Sequence, residues 1–375
     1  MRIGIDARFY GPKQKGLGRY VQKLVEGLEK AVNDKYEFII FLRKENWLEY
    51  QPKNPNFKKV LAECQWYGLK EQILMPLKIR QEKVDLMHFP HFNVPIFCLK
   101  PFVITIHDLI LKKFPTRRAS ALGPVLYWIK NLAYQLVIHS AVKRAKKIIA
   151  VSNYTKKDIL KYFKVKSEKI EVVYEGSPSN NSRSDLFDAQ GQTFKITKPY
   201  LLYVGNAYPH KNLERLILAF AKLANQEYQL VLVGEIDYFY NRLRKFIHDS
   251  KFVIRNSIVF TDFVSDKKLA VLCQNASLYV FPSLCEGFGL PPLEAMSYGL
   301  PVVCSQSACL PEILGEAAVY FNPESVEEMA EKIKLVLKDK NLQQKLILLG
   351  YQRLKRYSWS KMAQETLEIY KAVEY

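Results

Sequence analysis

The chain has 375 residues, of which 49% are hydrophobic and 25% charged, a composition typical of globular proteins and unlike disordered or membrane-spanning ones. One hydrophobic core rarely supports a chain of this length, so we expect two domains. No apolar run approaches the roughly 20 residues needed to cross a bilayer, and the first residues resemble a strand, not a signal peptide. We therefore expect a cytoplasmic protein. The six cysteines form no CxxC pair and are expected to be buried free thiols.

The formal charge of +19 is concentrated in the first half of the chain. Residues 1–175 carry 33 Lys and Arg against 16 Asp and Glu, an excess of 17 positive charges, whereas the other 200 residues have an excess of only 2. Such a basic half indicates an anionic partner, which could be nucleic acid, an anionic membrane face or a phosphorylated substrate. Solvated surface lysines are the alternative, but they would be expected in both halves.

Short runs rich in Ile, Val and Phe alternate with helical patterns along the whole chain. The first half contains predicted helices at 19–31 and 125–146 and predicted strands at 2–6, 37–42, 102–106, 147–151 and 170–173. The second half repeats the pattern, with predicted strands at 200–204, 229–233, 257–260, 278–281 and 301–304. This alternation predicts an α/β protein with parallel sheets. The polar segment at 176–185 lacks periodicity and is predicted to connect the two domains.

The segment 281–299 predicts an anion site. A strand ends at Phe281, a loop with two glycines follows, and Pro291 and Pro292 can occupy the first turn of a helix that Gly299 closes. The N–H groups and dipole of that helix N-terminus favour a diphosphate. Glu286 and Glu294 bracket the loop, and a carboxylate can accept two hydroxyl hydrogen bonds from a ribose or sugar. The segment therefore predicts a sugar-nucleotide site, although Glu294 could also be an ordinary helix-N-terminal glutamate.

A second segment, at 202–212, has the same design of strand, glycine turn and helix. Its turn begins at Gly205 and Asn206, and the helix begins near Asn212. Lys211 would stand at that helix N-terminus, where an ammonium group could neutralise a diphosphate and hold it as a leaving group. The alternative is a solvated surface lysine.

Together these motifs resemble the retaining glycosyltransferases of family 4, also called glycosyl transferases group 1. The resemblance rests on Glu-x7-Glu with Glu-Gly-Phe-Gly-Leu-Pro at 286–291, Gly-x-x-x-Pro-x-Lys-Asn at 205–212, and Ser-x-x-x-x-Leu-Pro-Glu at 305–312. Further similar stretches are 5–8 and 16–20, which resemble the family's first strand and glycine turn, and 105–109, 151–155 and 357–359. The resemblance implies the GT-B fold, with two facing Rossmann-like doubly wound domains at 1–180 and 195–356 around a cleft. A C-terminal helix at about 357–375 would cross back onto the first domain.

The resemblance also implies a role for each matching residue. Lys211 would bind the diphosphate, Glu286 the donor-sugar hydroxyls and Glu294 the ribose, while His107 would lie near the reactive carbon. The other implied donor-binding residues are Gly16, Gly205, Asn206, Gly287, Phe288, Gly289 and Leu290. Many relatives carry an arginine beside the diphosphate lysine, but no arginine occurs at 206–210. His210 or Arg215 would have to compensate for that missing charge.

The implied reaction moves a hexose from a nucleotide-diphosphate sugar, with retention at the anomeric carbon and without an enzymic nucleophile or general base. His107, Lys211 and Glu286 are the implied catalytic residues. No Asp-x-Asp pair is available to hold a divalent ion, so we expect no metal and no cofactor other than the GDP- or UDP-sugar substrate. The stretches at 16–20 and 105–108 are most similar to mannosyltransferases. The expected acceptor is a saccharide or a lipid-linked diphosphate in cell-surface polysaccharide or glycolipid synthesis.

The basic first half would bind the acceptor and could dock on an anionic membrane. Basic residues precede a helix with apolar and aromatic side chains: Lys112, Lys113, Arg117 and Arg118, then Leu126, Trp128, Ile129 and Leu132. A packed core helix with a solvated basic face is the alternative. Two other functions also use these features, a nucleotide-sugar epimerase of the same fold and a non-enzymatic nucleic-acid-binding protein. The chain contains no recognisable nucleic-acid-binding module, so we expect no nucleic-acid partner.

Overall fold

The computed structural model describes residues 1–11, 14–32, 35–114, 124–177, 196–223, 227–250 and 256–374. Its contacts divide the chain into two compact units. The first contains Met1–Leu109, Leu122–Gly176 and Tyr357–Tyr375, and the second contains Ile110–Ala121 and Ser177–Arg356. Most of the predicted connection at 176–185 lies outside the described residues, as do Arg117, Arg118 and the side chain of Leu126.

The described residues of the first unit form a sheet of seven parallel strands. These are β1 (Arg2–Asp6), β2 (Glu37–Leu42), β3 (Phe57–Leu61), β4 (Leu86–Phe89), β5 (Phe102–Ile106), β6 (Lys147–Ala150) and β7 (Ile170–Val172). The helices before residue 177 are α1 (Lys15–Ala31), α2 (Leu69–Gln81), α3 (Ile110–Lys113), α4 (Pro124–Arg144) and α5 (Asn153–Tyr162). The strand order is β3-β2-β1-β4-β5-β6-β7. In doubly wound sheets of this order, ligands bind beyond the strand ends where the order reverses, which here is between β1 and β4.

The described residues of the second unit form a six-stranded parallel sheet of the same design. Its strands are β8 (Tyr200–Val204), β9 (Gln229–Val233), β10 (Ile258–Phe260), β11 (Leu278–Phe281), β12 (Val302–Ser305) and β13 (Ala318–Phe321). The remaining helices are α6 (Leu213–Lys222), α7 (Tyr238–Asp249), α8 (Asp266–Asn275), α9 (Leu290–Ser297), α10 (Leu310–Leu314), α11 (Val326–Lys338), α12 (Lys340–Leu354) and α13 (Trp359–Glu374). The order β10-β9-β8-β11-β12-β13 reverses between β8 and β11.

Helices cover both faces of the first sheet, which explains why its central strands are continuous apolar runs. One face packs with α1 and α13, where Leu24 and Met362 are fully buried. The other face packs with α2, α4 and α5. At Gly27 an added Cβ would lie 2.5 Å from Ala363 Cβ, so only glycine lets α13 approach α1 this closely.

The predicted strands are all present, but three further strands escaped prediction. In β3 two lysines interrupt the apolar pattern, and the other two missed strands are β4 and β13. The predicted start of the first helix was wrong, because α1 begins at Lys15 and not at 19. Gly16 therefore lies in the first turn of a helix, whereas we had assigned it to a glycine turn.

All six cysteines, which lie within the described residues, are buried thiols that form no disulfide, as expected. Within the described ranges, no helix combines the length and apolar character needed to span a membrane.

Candidate functional site

The two predicted donor-binding segments meet at the reversal point of the second sheet. β8 and β11 are parallel neighbours, so the loops that follow them leave the same edge of the sheet. The loop after β8 carries Lys211, and the loop after β11 carries Glu286. The sheet topology therefore brings together two motifs that are 75 residues apart in the sequence.

Hydrogen bonds join these two loops on both sides of Lys211. The Leu284 amide donates to the His210 carbonyl at 2.8 Å. The Asn212 side-chain amide donates to the carbonyls of Pro282 and Pro323, at 3.1 and 2.7 Å. Asn212 adopts the left-handed conformation, with φ +62°, which asparagine tolerates better than most residues. These contacts make Asn212 a structural clamp, a role that the sequence motif alone did not reveal.

Lys211 and Glu286 form an ion pair at this clamp. The distance from Lys211 Nζ to Glu286 Oε1 is 2.6 Å, and the two side chains are only 14% and 11% exposed. The ammonium also lies 5.8 Å from the centre of the Phe281 ring. An ammonium has three donors and a carboxylate about four acceptor positions, so each group retains capacity to bind a ligand.

The loop after Glu286 leads into the N-terminus of α9. Gly289 precedes the helix with φ +99°, and an added Cβ would lie 2.9 Å from Leu310 Cδ2. Leu290 is the first helical residue, and the N-cap residue, Gly289, has no side chain that could cap the helix. Gly287 and Phe288 are buried, and the Cys309 thiol donates to the Phe288 carbonyl at 3.2 Å. A helix N-terminus without a side-chain cap can bind an anion through its N–H groups.

Glu294, the residue predicted to bind the ribose, lies one turn into α9 and is half-buried. It therefore belongs to the helix that directly follows the loop. Gly205 follows β8 with φ +151°, and a Cβ there would lie 2.7 Å from the Tyr203 hydroxyl oxygen. The same hydroxyl donates to the Asn206 carbonyl at 2.8 Å, which fixes the predicted glycine turn.

Two buried polar atoms in these loops have no hydrogen-bond partner among the residues that the structure describes, Asn206 Oδ1 after β8 and Ser283 Oγ after β11. Ser283 is fully buried, and leaving such an atom unpaired typically costs about 1–3 kcal/mol. A bound ligand or water that pairs with them would recover this free energy. Sequence reasoning assigned no role to Ser283, although its position two residues after a strand end was a usable signal.

The structure describes both proposed substitutes for the missing arginine. Burial, together with the neighbouring Lys211 charge, lowers the pKa of His210 to about 4, so its ring is neutral at pH 7. Arg215 donates to Asn212 Oδ1 at 2.9 Å and thus supports the clamp.

The remaining predicted residues belong to the first unit. Gly16 is exposed in α1, and nothing within 4 Å would obstruct a side chain there. His107 follows β5, and its Nδ1 lies 2.9 Å from Glu175 Oε1. Sequence reasoning missed Glu175, whose only signal was its position shortly after the end of β7.

Two family models match the chain in succession. The model described as Glycosyltransferase Family 4 matches residues 15–178, and the model described as Glycosyl transferases group 1 matches residues 186–353. The second match contains Lys211, Glu286 and Glu294, and the first contains Gly16 and His107.

Curated relatives are similar over most of the chain. The chain is 27% identical to the O-antigen chain mannosyltransferase B of Escherichia coli, over 95% of this chain and 96% of the relative. It is 29% identical to the O-antigen chain mannosyltransferase RfbU of Salmonella typhimurium, over 72% of this chain and 69% of the relative.

Solved structures show the same fold along the full length. A sucrose-phosphate synthase from Thermosynechococcus elongatus superposes with a TM-score of 0.77 at 19% identity, covering 100% of this chain and 99% of the other. Anabaena HepE, in complex with UDP and glucose, superposes with a TM-score of 0.73 at 19% identity, covering 99% of both chains. The expected fold class, two Rossmann-like α/β domains of the GT-B type, is confirmed. With its two halves matched in order by the two models of that family, the chain belongs to the group 1, family 4 glycosyltransferases.

Proposed function

We propose that this glycosyltransferase moves a hexose, with mannose as the first candidate, from a nucleotide-diphosphate sugar to a saccharide or lipid-diphosphate acceptor in cell-surface polysaccharide synthesis. The Lys211–Glu286 pair, at the reversal point of the second sheet, carries the proposal. A cation suits the diphosphate, and a carboxylate beside it suits sugar hydroxyls.

The choice of sugar and acceptor is supported by the relatives. Two of them are named as O-antigen chain mannosyltransferases, at 27% and 29% identity. GDP-mannose is therefore the first donor to test. UDP-glucose is the second, since the structural neighbour HepE was solved with it.

The site supports a reaction in which charge develops on the departing diphosphate. Lys211 and the N-terminus of α9 would stabilise that charge. In a same-face displacement the leaving phosphate oxygen itself takes the acceptor proton, and the anomeric configuration is retained. Within the described residues, no group of three His, Cys, Asp or Glu is arranged to hold a metal ion. We propose metal-independent transfer, which an assay with and without EDTA tests directly.

A thermal-stabilisation screen with GDP-mannose, UDP-glucose and ADP-glucose tests the donor. A donor at 100 times its Kd adds roughly 2.7 kcal/mol of stability. Lys211→Ala and Glu294→Ala should lose this stabilisation, whereas Lys222→Ala, which breaks an exposed pair with Glu327, should retain it. NMR of the product then gives the anomeric configuration. The donor site would be wrong if the Lys211 and Glu294 variants bound every stabilising donor as wild type does.

We further propose that the first unit docks on an anionic membrane through a surface formed by α2, the turn at 96–99 and α4. Hydrogen bonds connect its parts, because Ile96 N donates to Gln72 Oε1 at 2.7 Å and Arg144 donates to Ile96 O at 2.6 Å. Its exposed apolar side chains include Leu69, Ile73, Leu77, Phe97, Leu99, Trp128, Ile129, Leu132 and Leu136. Trp128, Ile129 and Leu132 are 57–62% exposed, which supports a surface role for this helix over the alternative of a packed core helix.

The charges around this α2–α4 surface favour anionic lipid as its partner. Lys70, Arg80, Lys130 and Lys143 are exposed on the same helices. The acidic residue in these segments is Glu71, which is fully buried in an ion pair with Arg8. An apolar surface with basic residues suits the interface of an anionic bilayer.

Sedimentation with vesicles tests this docking. Wild type should sediment with phosphatidylglycerol-containing vesicles and much less with phosphatidylcholine alone. Phe97→Ser with Trp128→Ser should reduce binding to anionic vesicles several-fold, whereas Leu348→Ser, an equally exposed leucine of α12, should not. No sedimentation with anionic vesicles at any salt concentration would overturn the docking proposal and leave the transferase proposal intact.

A further inference from the structure

His107 is held by acceptors at both ring nitrogens. Its Nδ1 lies 2.9 Å from a carboxylate oxygen of Glu175, and its Nε2 lies 3.1 Å from the carbonyl oxygen of Pro90. The Tyr20 ring packs edge-on against the imidazole, with 4.6 Å between ring centres. The Tyr20 hydroxyl is in turn bonded to Thr105 Oγ1 at 3.1 Å. The ring therefore has little freedom to turn.

This arrangement determines the protonation of the ring. A carboxylate and a carbonyl only accept hydrogen bonds, while a neutral imidazole has one N–H and one lone pair. A neutral His107 would direct that lone pair at one of the two acceptors. Only the doubly protonated imidazolium satisfies both contacts.

The surrounding charges also favour the protonated form of His107. Burial alone would lower the pKa of His107, but the hydrogen bond and negative charge of Glu175 outweigh it, and Asp108 adds to the effect, so this pKa lies above its ordinary value. His88 is fully buried and His91 partly buried, and this desolvation lowers the pKa of each neighbouring ring to about 3, so both are neutral at pH 7. Tyr20 is uncharged there as well, because burial raises its pKa.

We propose that Glu175 is a positioning residue that holds His107 as an imidazolium through neutral pH, so that His107 acts as a fixed positive charge and not as a general base. The inference rests on the proposed function, because a fixed cation is useful to an enzyme whose substrate is an anionic sugar nucleotide. Both N–H groups are already engaged, so proton transfer through either nitrogen would first have to break a hydrogen bond. The His107 side chain is still 18% exposed, whereas Glu175 is only 6% exposed. Substrate can therefore meet the ring, and Glu175 acts through it.

NMR of protein labelled with nitrogen-15 histidine tests the protonation directly, with His107→Gln identifying the signal. In wild type both ring nitrogens of His107 should be protonated at pH 7.5. In Glu175→Gln, which keeps a hydrogen-bonding side chain and removes the charge, the His107 pKa should fall by at least one unit. Glu175→Asp should restore part of the shift. Glu171→Gln is the matched control, since Glu171 lies on the adjoining strand and pairs with Lys147.

The pH profile of kcat gives the functional measurement. Activity that needs the imidazolium is present below the His107 pKa and is lost as pH rises through it. The loss should therefore begin at a lower pH in Glu175→Gln than in wild type or Glu171→Gln. A neutral His107 at pH 7 in wild type, or superimposable profiles for Glu175→Gln and wild type, would overturn the proposal. If wild type transferred no sugar at all, the NMR titration would still decide the protonation of His107, and only the proposed function would fail.

Discussion

The side-chain amide of Asn212 donates to the Pro282 carbonyl at 3.1 Å, which ties the residue after Lys211 to the strand end four residues before Glu286. A second bond, to Pro323 O at 2.7 Å, uses the other proton of the same amide. The Lys211–Glu286 pair therefore depends on a neighbour that need not contact substrate.

Substitutions of Asn212 should separate the contribution of its side-chain hydrogen bonds from that of its left-handed backbone conformation. Asn212→Gly keeps access to φ +62° and loses the two donated hydrogen bonds and the one accepted from Arg215, so we expect a loss of about 1–3 kcal/mol in the free energy of unfolding. Asn212→Ala loses the bonds and also strains the backbone, which adds about 1–2 kcal/mol. Both variants should raise the KM for donor. Urea unfolding and donor kinetics measure the two effects, and equal stability of the alanine and wild-type proteins would contradict the clamp.

Glu286→Gln should separate binding of the donor's sugar from binding of its nucleotide diphosphate. If Glu286 binds sugar hydroxyls while Lys211 binds the diphosphate, the variant should be stabilised by the nucleotide diphosphate as well as wild type is. Its additional stabilisation by the complete nucleotide sugar should be smaller. Lys211→Ala, in contrast, should be stabilised only weakly by either ligand. It removes the cation proposed to bind the diphosphate, which both ligands contain. Differential scanning fluorimetry with matched concentrations of the two ligands measures this, and equal losses for both ligands in Glu286→Gln would refute the assignment.

Much of this site could be predicted from sequence because its parts are local. The apolar runs of β8 and β11, the left-handed Gly289 and the prolines after Leu290 all act within a few residues. The ion pair itself could not be predicted from either segment alone. Lys211 and Glu286 are 75 residues apart in the sequence and meet only because β8 and β11 are neighbours in the sheet. Glu175 was missed for the same reason, since its partner lies 68 residues earlier.

β3 escaped prediction because of its position at the edge of the sheet. β3 carries Lys58 and Lys59 in its centre, and as an edge strand it can expose them, so the apolar pattern on which the prediction depends is interrupted. Gly16 was misplaced because two nearby glycines in the sequence indicated a turn, whereas the backbone there is helical from Lys15 onward.

Two arginines on or just after β1 should differ strongly in their importance for stability. Arg8 is buried and bonded to Asp6 at 2.7 Å and Glu71 at 2.5 Å. Arg8→Ala would leave the buried carboxylates of Asp6 and Glu71 without their cation and should cost about 3–5 kcal/mol. Arg2 pairs with Glu37, with side chains 35% and 43% exposed, so Arg2→Ala should cost much less than Arg8→Ala. Urea midpoints of the two variants compare these costs, and similar values would show that the buried network contributes little.

His88 should make the folded protein sensitive to acid. Its ring is fully buried, bonded to the Tyr370 hydroxyl at 2.6 Å and to Thr105 Oγ1 at 2.9 Å. Burial, with a smaller effect of the His107 charge, lowers its pKa from 6.5 to about 3. Below pH 6.5 His88 therefore binds a proton in the unfolded chain, whereas in the folded chain it stays neutral down to about pH 3. The free energy of unfolding falls as the pH falls through this window.

The expected loss at pH 5 from His88 alone is about 2 kcal/mol, because each pKa unit corresponds to 1.36 kcal/mol. His88→Gln removes the titrating group, so its unfolding free energy should depend less steeply on pH between 7 and 5, whatever its value at pH 7. His248→Gln, at a histidine whose side chain is 77% exposed, should keep the wild-type slope. Chemical denaturation at a series of pH values measures these slopes. An unchanged slope in His88→Gln would mean that the buried ring becomes protonated in the native state, with Tyr370 and Thr105 rearranging to accept its second proton.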